Sequence, residues 1–264
     1  MHVLERTPLR DLGAAGDPQV SGWLFPSPRD GGMRTLGLIG GTGWLSTLEY
    51  YRLINEGVNG RLGGHEAARC ILYSLNFGDV MRLKENDPEQ AAVCALVVRA
   101  ARLLEQAGAE RLVLCANTLH WFAGDVGAAV AVPLVHIASA TALRVGESGL
   151  DCVGLLGTRP TMEREFYRSH LRAAGVETLV PGEEERAFIQ QVIYGELLKG
   201  RFLHGSRERL LAIIEGLRRC GAQGVILGCT ELPLLVRQED CALPLFDTLR
   251  IHADAAVRAA LDGE

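Results

Sequence analysis

The 264-residue sequence predicts an α/β protein of two similar domains, each a parallel sheet flanked by helices, the two related by a pseudo-twofold axis. Three observations carry this. Short apolar runs alternate with helical stretches, the pattern of parallel strands covered on both faces. The order of elements begins again past the middle of the chain, at Cys152. Two apolar strands also end alike in small or polar residues: Leu112-Val-Leu-Cys-Ala-Asn-Thr118 and Val225-Ile-Leu-Gly-Cys-Thr230.

Taken in order, residues 1–32 hold the turn formers Pro26-Ser-Pro-Arg-Asp-Gly-Gly32 and read as a flexible extension. Arg34 to Ile39 is the first strand. A glycine turn follows, then a helix through Tyr50, Tyr51, Leu53 and Ile54. Cys70 to Ser74 is a second strand, Pro88 to Gln106 a long helix, and Arg111 to Cys115 a third strand. Val130 to Ile137 contains another short strand, broken by Pro133. The second round has strands at Cys152–Leu156 and Val176–Val180, with a helix over Met162–Ala174 between them. Helices over Phe188–Leu198 and Arg207–Arg219 lead to strands at Gly224–Gly228 and Pro244–Phe246. Asp247 to Leu261 is the final helix. The expected domains are 33–143 plus 247–264, and 144–246. In such sheets ligands bind beyond the carboxyl ends of the strands, so both matched ends are expected to line one cleft.

Hydrophobic residues make up 48% of the chain and charged residues 22%, ordinary for a soluble globular protein. The net charge of -5 gives no basic patch for nucleic acid or an anionic membrane. No apolar run approaches the roughly 20 residues that span a bilayer, and the N-terminus lacks signal-peptide order, so a cytoplasmic location is expected. The seven cysteines show no Cys-x-x-Cys spacing, which disfavours a disulfide framework and a metal site. No cofactor motif is complete. Gly40-Gly-Thr-Gly43 lacks the later glycine of a dinucleotide turn, although its backbone N–H groups suit a carboxylate. Cys229 follows an apolar strand and precedes Thr230-Glu231; a thiol there, near backbone donors, is expected to have a lowered pKa and to act as a base.

From Met33 to Leu261 the chain resembles the aspartate/glutamate/hydantoin racemase superfamily, and most nearly its broad-specificity amino-acid racemase branch. The resemblance rests on five segments in family order: Leu38 to Thr47 with Tyr50 to Asn55; Cys115-Ala-Asn-Thr-Leu-His120; Gly157 to Tyr167; Ile193-Tyr194 with Lys199-Gly200; and Gly228-Cys-Thr-Glu231 with Pro244 to Asp247. It implies a two-base proton transfer at the Cα of an acidic amino acid, without pyridoxal phosphate or metal. One thiolate removes the α-proton and a thiol on the opposite face returns one; a free thiol titrates at ~8.5, within reach of neutral pH. Oriented N–H and hydroxyl donors must stabilise the developing carboxylate charge. The resemblance also implies a homodimer.

Carried over by position, Cys229 matches the second family cysteine. Asn117 and Thr118, Thr158 and Thr161, Thr230 and Glu231, and the Gly41-Thr42 turn are expected to bind the carboxylate substrate, with Asn76 and Lys199 further candidates. The first family cysteine is missing: its place is Ala116, whose methyl group carries no exchangeable proton. Cys115, one residue earlier, should face the other way by strand alternation. Three readings remain open. The protein is a racemase whose second proton carrier is His120, Cys115 or a water; a one-thiol decarboxylase or isomerase of a small carboxylate; or a carboxylate-binding protein with little activity. Arg52, Arg82, Arg159, Arg164 and Lys199 are candidate cations, but no clamp for a side-chain carboxylate stands out.

Overall fold

A computed structural model describes residues 32–85, 87 and 89–262. The expected extension over residues 1–32 lies outside them except for Gly32, as does the expected helix start at Pro88.

Two four-stranded parallel sheets repeat one design. The first pairs β2 (Cys70–Ser74), β1 (Leu36–Gly40), β3 (Arg111–Leu114) and β4 (Leu134–Val135), in that order. The second pairs β6 (Glu177–Leu179), β5 (Cys152–Gly157), β7 (Gly224–Gly228) and β8 (Leu245–Asp247), the same order four strands later. These are the two similar domains. Registers are regular, with Leu38 beside Leu72 and Val113, and Leu155 beside Ile226. The inner strands β1 and β7 are buried along their whole length, while edge strand β2 is partly open, as helices on both faces require. In each sheet the winding reverses at the central pair, β1 with β3 and β5 with β7. The carboxyl ends of that pair form a crevice not crossed by a connecting loop.

The helices are α1 (Trp44–Leu62), α2 (Phe77–Glu85), α3 (Ala91–Gln106), α4 (Ala123–Ala129) and α5 (Ile137–Glu147), then α6 (Arg159–Glu163) and α7 (Glu165–Ala173). They are followed by α8 (Glu183–Gly195), α9 (His204–Arg219) and α10 (Thr248–Leu261). The expected helix over Met162–Ala174 is two helices. Arg164 between them is extended, at φ -88° and ψ 152°, and ends the first. The long helix begins at Ala91, because Gln90 sits at φ 54°, outside helical geometry. Helices α2, α4 and α5 had no counterpart in the sequence pattern. Small residues in α4 and α5 mask the periodicity that marks α3, whereas α2 carries its apolar Phe77 and Val80 on one face but is only nine residues long.

The last helix returns to the first sheet. Leu249, Ala253, Ala256, Val257 and Ala260 pack on Leu36, Leu38, Tyr50 and Ile54. Asp247 caps α10, accepting the N–H groups of Leu249 and Arg250. The boundary expected at 143/144 falls inside α5, whose Ile137, Ala138, Ala142 and Val145 pack with Val153, Leu155 and Tyr167. Among the described residues no helix is long and apolar enough to cross a membrane, and no group of three or more His, Cys, Asp and Glu side chains could hold a metal ion.

Candidate active site

The carboxyl ends of β1, β3, β5 and β7 converge on a cleft of about 50 Å³. Its walls include Thr42, Ala116, Asn117, Thr118, Thr158, Cys229, Thr230 and Glu231, joined by Lys84 of α2 and Tyr194 of α8. The space is far below the roughly 300 Å³ at the lower end of small-molecule pockets, so a ligand enters only as the walls part. A larger groove of about 670 Å³ lies on the other side of Thr230 and Glu231, between α1 and the segment after β7. Neither Cys229 nor any residue of the β3 or β5 ends lines it.

At the end of β7 the polar atoms bind one another. Cys229, 7% exposed, donates its S–H to Glu231 Oε2 at 3.0 Å. Thr230 donates to the same oxygen at 2.9 Å, and Ser46 of α1 donates to Oε1 at 2.6 Å. Gly43 makes room for this carboxylate: it has φ 112°, and an added Cβ would stand 2.8 Å from Glu231 Oε1. Burial, followed by the Glu231 charge and its hydrogen bond, raises the Cys229 pKa well above that of a free thiol. The backbone N–H groups of Thr230 and Glu231 oppose that shift without reversing it. This corrects the expectation of a lowered pKa. The resting group is a thiol, hydrogen-bonded to the Glu231 carboxylate. Tyr194 beside it is held as a phenol, its pKa raised to about 12 by burial and then by Cys229 and Glu231.

At the ends of β3 and β1 two polar atoms are left open. Thr248 gives its hydroxyl proton to Leu227 O at 2.8 Å, so Asn117 must present its amide N–H to Thr248, at 3.0 Å. That orientation leaves Asn117 Oδ1 buried with no partner, and Thr42 Oγ1 is buried and unpartnered as well. Both residues line the cleft. Buried polar atoms are rarely left unpaired, so two on one wall mark where a ligand would complete them. Thr118 reaches across to Thr158 at 3.0 Å, and Thr158 to Thr161 at 3.2 Å, a hydroxyl chain joining the two halves.

The structure brings Thr42, Ala116, Asn117, Thr118, Thr158, Cys229, Thr230 and Glu231 together. It does not bring the others. Gly41 lies behind the wall, where its N–H donates to Thr47 Oγ1 at 2.8 Å and is not free for a carboxylate. A side chain at Gly41, at φ 90°, would collide with the Leu75 carbonyl. Thr161 is fully buried behind Thr158. Asn76 is exposed and accepts from Gly78 N at 2.9 Å, a local turn. Lys199 is exposed at the end of a short 3₁₀ turn, Leu197–Lys199.

His120, expected as a second proton carrier, is buried behind the β3 end with Nδ1 3.0 Å from Ala116 O, and it is not a cleft wall. Its ring packs edge-on against His136 and His252. Cys115 packs with Leu36, Leu38 and Tyr50 on the face opposite Ala116, as alternation requires, and burial raises its pKa far above a thiol's usual range. The remaining cations are engaged elsewhere. Arg52 pairs with Glu49 and Glu56, Arg82 with Asp79, and Arg159 with Glu163 and Glu183, while Arg164 stacks on Trp121.

Sequence reasoning missed Ser46, Lys84, Tyr194 and Thr248. For Lys84 a signal existed: Phe77, Val80 and Lys84 stand at i, i+3 and i+7, one face of a helix. Ser46 and Glu231 meet over 185 positions of sequence, which no local pattern encodes.

Residues 39–256 match the family model of Asp/Glu/Hydantoin racemase. The chain belongs to that family. Its racemases work without pyridoxal phosphate. A crystal structure from Yersinia pestis, classed with the Asp/Glu racemases, is 45% identical, has a TM-score of 0.81, and covers 87% of this chain and 100% of its own. An aspartate racemase homologue from Pyrococcus horikoshii OT3 is 36% identical, with a TM-score of 0.74 over 86% and 99% of the two chains. The broad specificity amino-acid racemase RacX of Bacillus subtilis is 23% identical over 62% of this chain and 71% of its own length. A glutamate racemase from Francisella tularensis, solved with D-glutamate, is 18% identical with a TM-score of 0.62 over 87% and 82%, a likeness of fold alone.

Proposed function

We propose that this protein is a cofactor-independent amino-acid racemase or epimerase that moves a proton at Cα through Cys229, with aspartate and glutamate as its first candidate substrates. The observation that carries this reading is the Cys229 S–H donating to Glu231 in a cleft whose opposite wall holds unpartnered Asn117 Oδ1 and Thr42 Oγ1. An amino acid supplies both complements, an ammonium for Asn117 Oδ1 and a carboxylate for the Thr42, Thr118 and Thr158 hydroxyls.

The chemistry follows from this placement. Glu231 accepts the thiol proton, leaving a thiolate able to take the α-proton; in the reverse direction the thiol gives its proton to the carbanion. Hydroxyl donors aimed at the carboxylate stabilise charge developing in the transition state, in a site too small for bulk water.

A division into two lobes with the cleft between them belongs to this reading, its first boundary lying before α5, which packs with the second half, and its second near 247. So does the homodimer, supported by Trp44, Leu48 and Tyr51, which expose apolar surface on one side of α1.

Ala116 favours a second reading, a one-thiol decarboxylase in which Cys229 protonates the carbanion left by loss of CO₂. One experiment separates the two. Each enantiomer of the chiral proteinogenic amino acids is incubated in deuterated water and followed by proton NMR and chiral chromatography. Deuterium at Cα with inversion supports the racemase. No exchange with any of them, with CO₂ released from an aryl- or alkylmalonate, overturns it in favour of the decarboxylase.

A further inference from the structure

We infer that Lys84 is the proton carrier on the face opposite Cys229, taking the place that Ala116 leaves without one. This rests on the racemase reading above. Inversion at a carbon requires an acid or base on each side of it, and Cys229 supplies only the side of the second sheet. The residues that close the cleft from the first half are Thr42, Phe77, Val80, Lys84, Ala116, Asn117, Thr118 and Leu119. The hydroxyls of Thr42 and Thr118 are far weaker acids than an ammonium, the Asn117 amide is a far weaker base than an amine, and the rest are hydrocarbons. Among the described residues, Lys84 is the one ionisable group on that wall and the one cation lining the cleft.

Its placement suits the task. It extends from the same face of α2 as Phe77 and Val80, which pack into the core beside Ala116. Its side chain is half-buried and makes no hydrogen bond or ion pair with any described residue. Burial disfavours its ammonium form and lowers its pKa from the ordinary lysine value, which brings the amine closer to use as a base.

Protons balance in both directions. With Cys229 as thiolate and Lys84 as ammonium, the Cα–H bond of one enantiomer breaks toward sulfur. The electron pair is held in the carboxylate, and a new C–H bond forms from Nζ–H on the other face. Turnover leaves a thiol and an amine, the pair needed to act on the opposite enantiomer. Proton exchange with water and Glu231 interconverts the two states.

The test uses the full chain, wild type and the variants Lys84→Met and Lys84→Arg, with both enantiomers of each amino acid that wild type racemises, in deuterated water. Arginine keeps the charge but gives up its proton too reluctantly to serve. Both variants are expected to lose racemisation at least about 100-fold, the usual contribution of a positioned acid–base group. They should still exchange the α-proton of one enantiomer with retention, through Cys229. Near wild-type racemisation in Lys84→Met overturns the proposal, as does activity in Lys84→Arg when Lys84→Met has none, because charge alone would then suffice. Loss of exchange from both enantiomers in Lys84→Arg, with an unchanged circular dichroism spectrum, assigns a structural role and also overturns it. If wild type itself exchanges no amino acid, the racemase reading has failed and takes this one with it; if wild type racemises and the variants match it, only Lys84 is wrong.

Discussion

At the end of β7, Cys229, Thr230 and Ser46 all donate to one buried carboxylate, and nothing there waits for a partner. Past the end of β3, at the matching position, a methyl group stands in place of the thiol, and among the described residues two buried oxygens on this wall, Asn117 Oδ1 there and Thr42 Oγ1 past the end of β1, have no partner. Repeated backbones can thus hold opposite chemistry. The β7 end is a closed hydrogen-bond network, whereas the facing wall keeps two buried oxygens without a partner. What stands behind each end differs too. Glu231 backs the first. Behind the second, His120, His136 and His252 form a neutral ring cluster, tied by His252 Nε2 to Val135 O at 2.8 Å and by His252 Nδ1 to Tyr50 Oη at 2.8 Å.

The contrast breaks first at Glu231. Glu231→Gln removes the acceptor for the thiol proton while keeping the shape, and should lower turnover by about 100-fold with a smaller change in KM. Steady-state racemisation measures this, and an unchanged kcat would mean that Cys229 deprotonates without Glu231. At the other end, Thr42→Val and Asn117→Ala each remove a group that only a ligand completes. Each should weaken binding by about 10-fold, the worth of a hydrogen bond to a charged group. Isothermal titration with the active amino acid reads the loss, and equal affinity would show that the open atoms face something else.

The histidine cluster distinguishes the two ends by acid. Burial lowers the pKa of His252 to about 4 and of His136 to about 3, and pushes His120 well down, while an exposed imidazole titrates near ~6.5. Between those values the unfolded chain binds more protons than the folded one. Stability is therefore full above about pH 6.5 and declines as pH falls, by about 2 kcal/mol at pH 5 for one such histidine. Urea denaturation midpoints at pH 7 and pH 5 check this, and equal midpoints would contradict it. The smallest effect is expected from Ala116→Cys. It restores a thiol to the β3 end, but with no carboxylate like Glu231 among the first-half residues that line the cleft, the gain in racemisation should stay below about 10-fold. A larger gain would make the missing thiol the limiting element.

Much of this fold was legible because buried parallel strands are short apolar runs with sharp ends. Gly224–Gly228 and Cys70–Ser74 coincide with the expected strands residue for residue. Helices read well where one face is apolar, as in Thr248–Leu261, and poorly where it is not. Ile137–Glu147 is rich in alanine and small polar residues and buries Ile137, Ala138, Ala140, Thr141, Ala142 and Val145, which blurs any stripe. In the site, residues adjacent to strand ends were foreseeable, since the winding of each sheet carries them to the crevice. Their protonation was not. The raised pKa of Cys229 comes from burial and from a carboxylate two positions on whose side chain folds back onto the sulfur. Lys84 and Ser46 come from helices whose docking depends on the whole tertiary fold.

The central claim is that the Cys229 sulfur carries the proton at Cα. The direct measurement is proton NMR of D- and L-glutamate and D- and L-aspartate in deuterated water with wild type and Cys229→Ser. The account predicts that wild type exchanges and inverts at least one of these pairs. Cys229→Ser, still folded by circular dichroism, should lose inversion and lose exchange from the enantiomer whose α-proton faces the sulfur. Inversion by Cys229→Ser at the wild-type rate would contradict it.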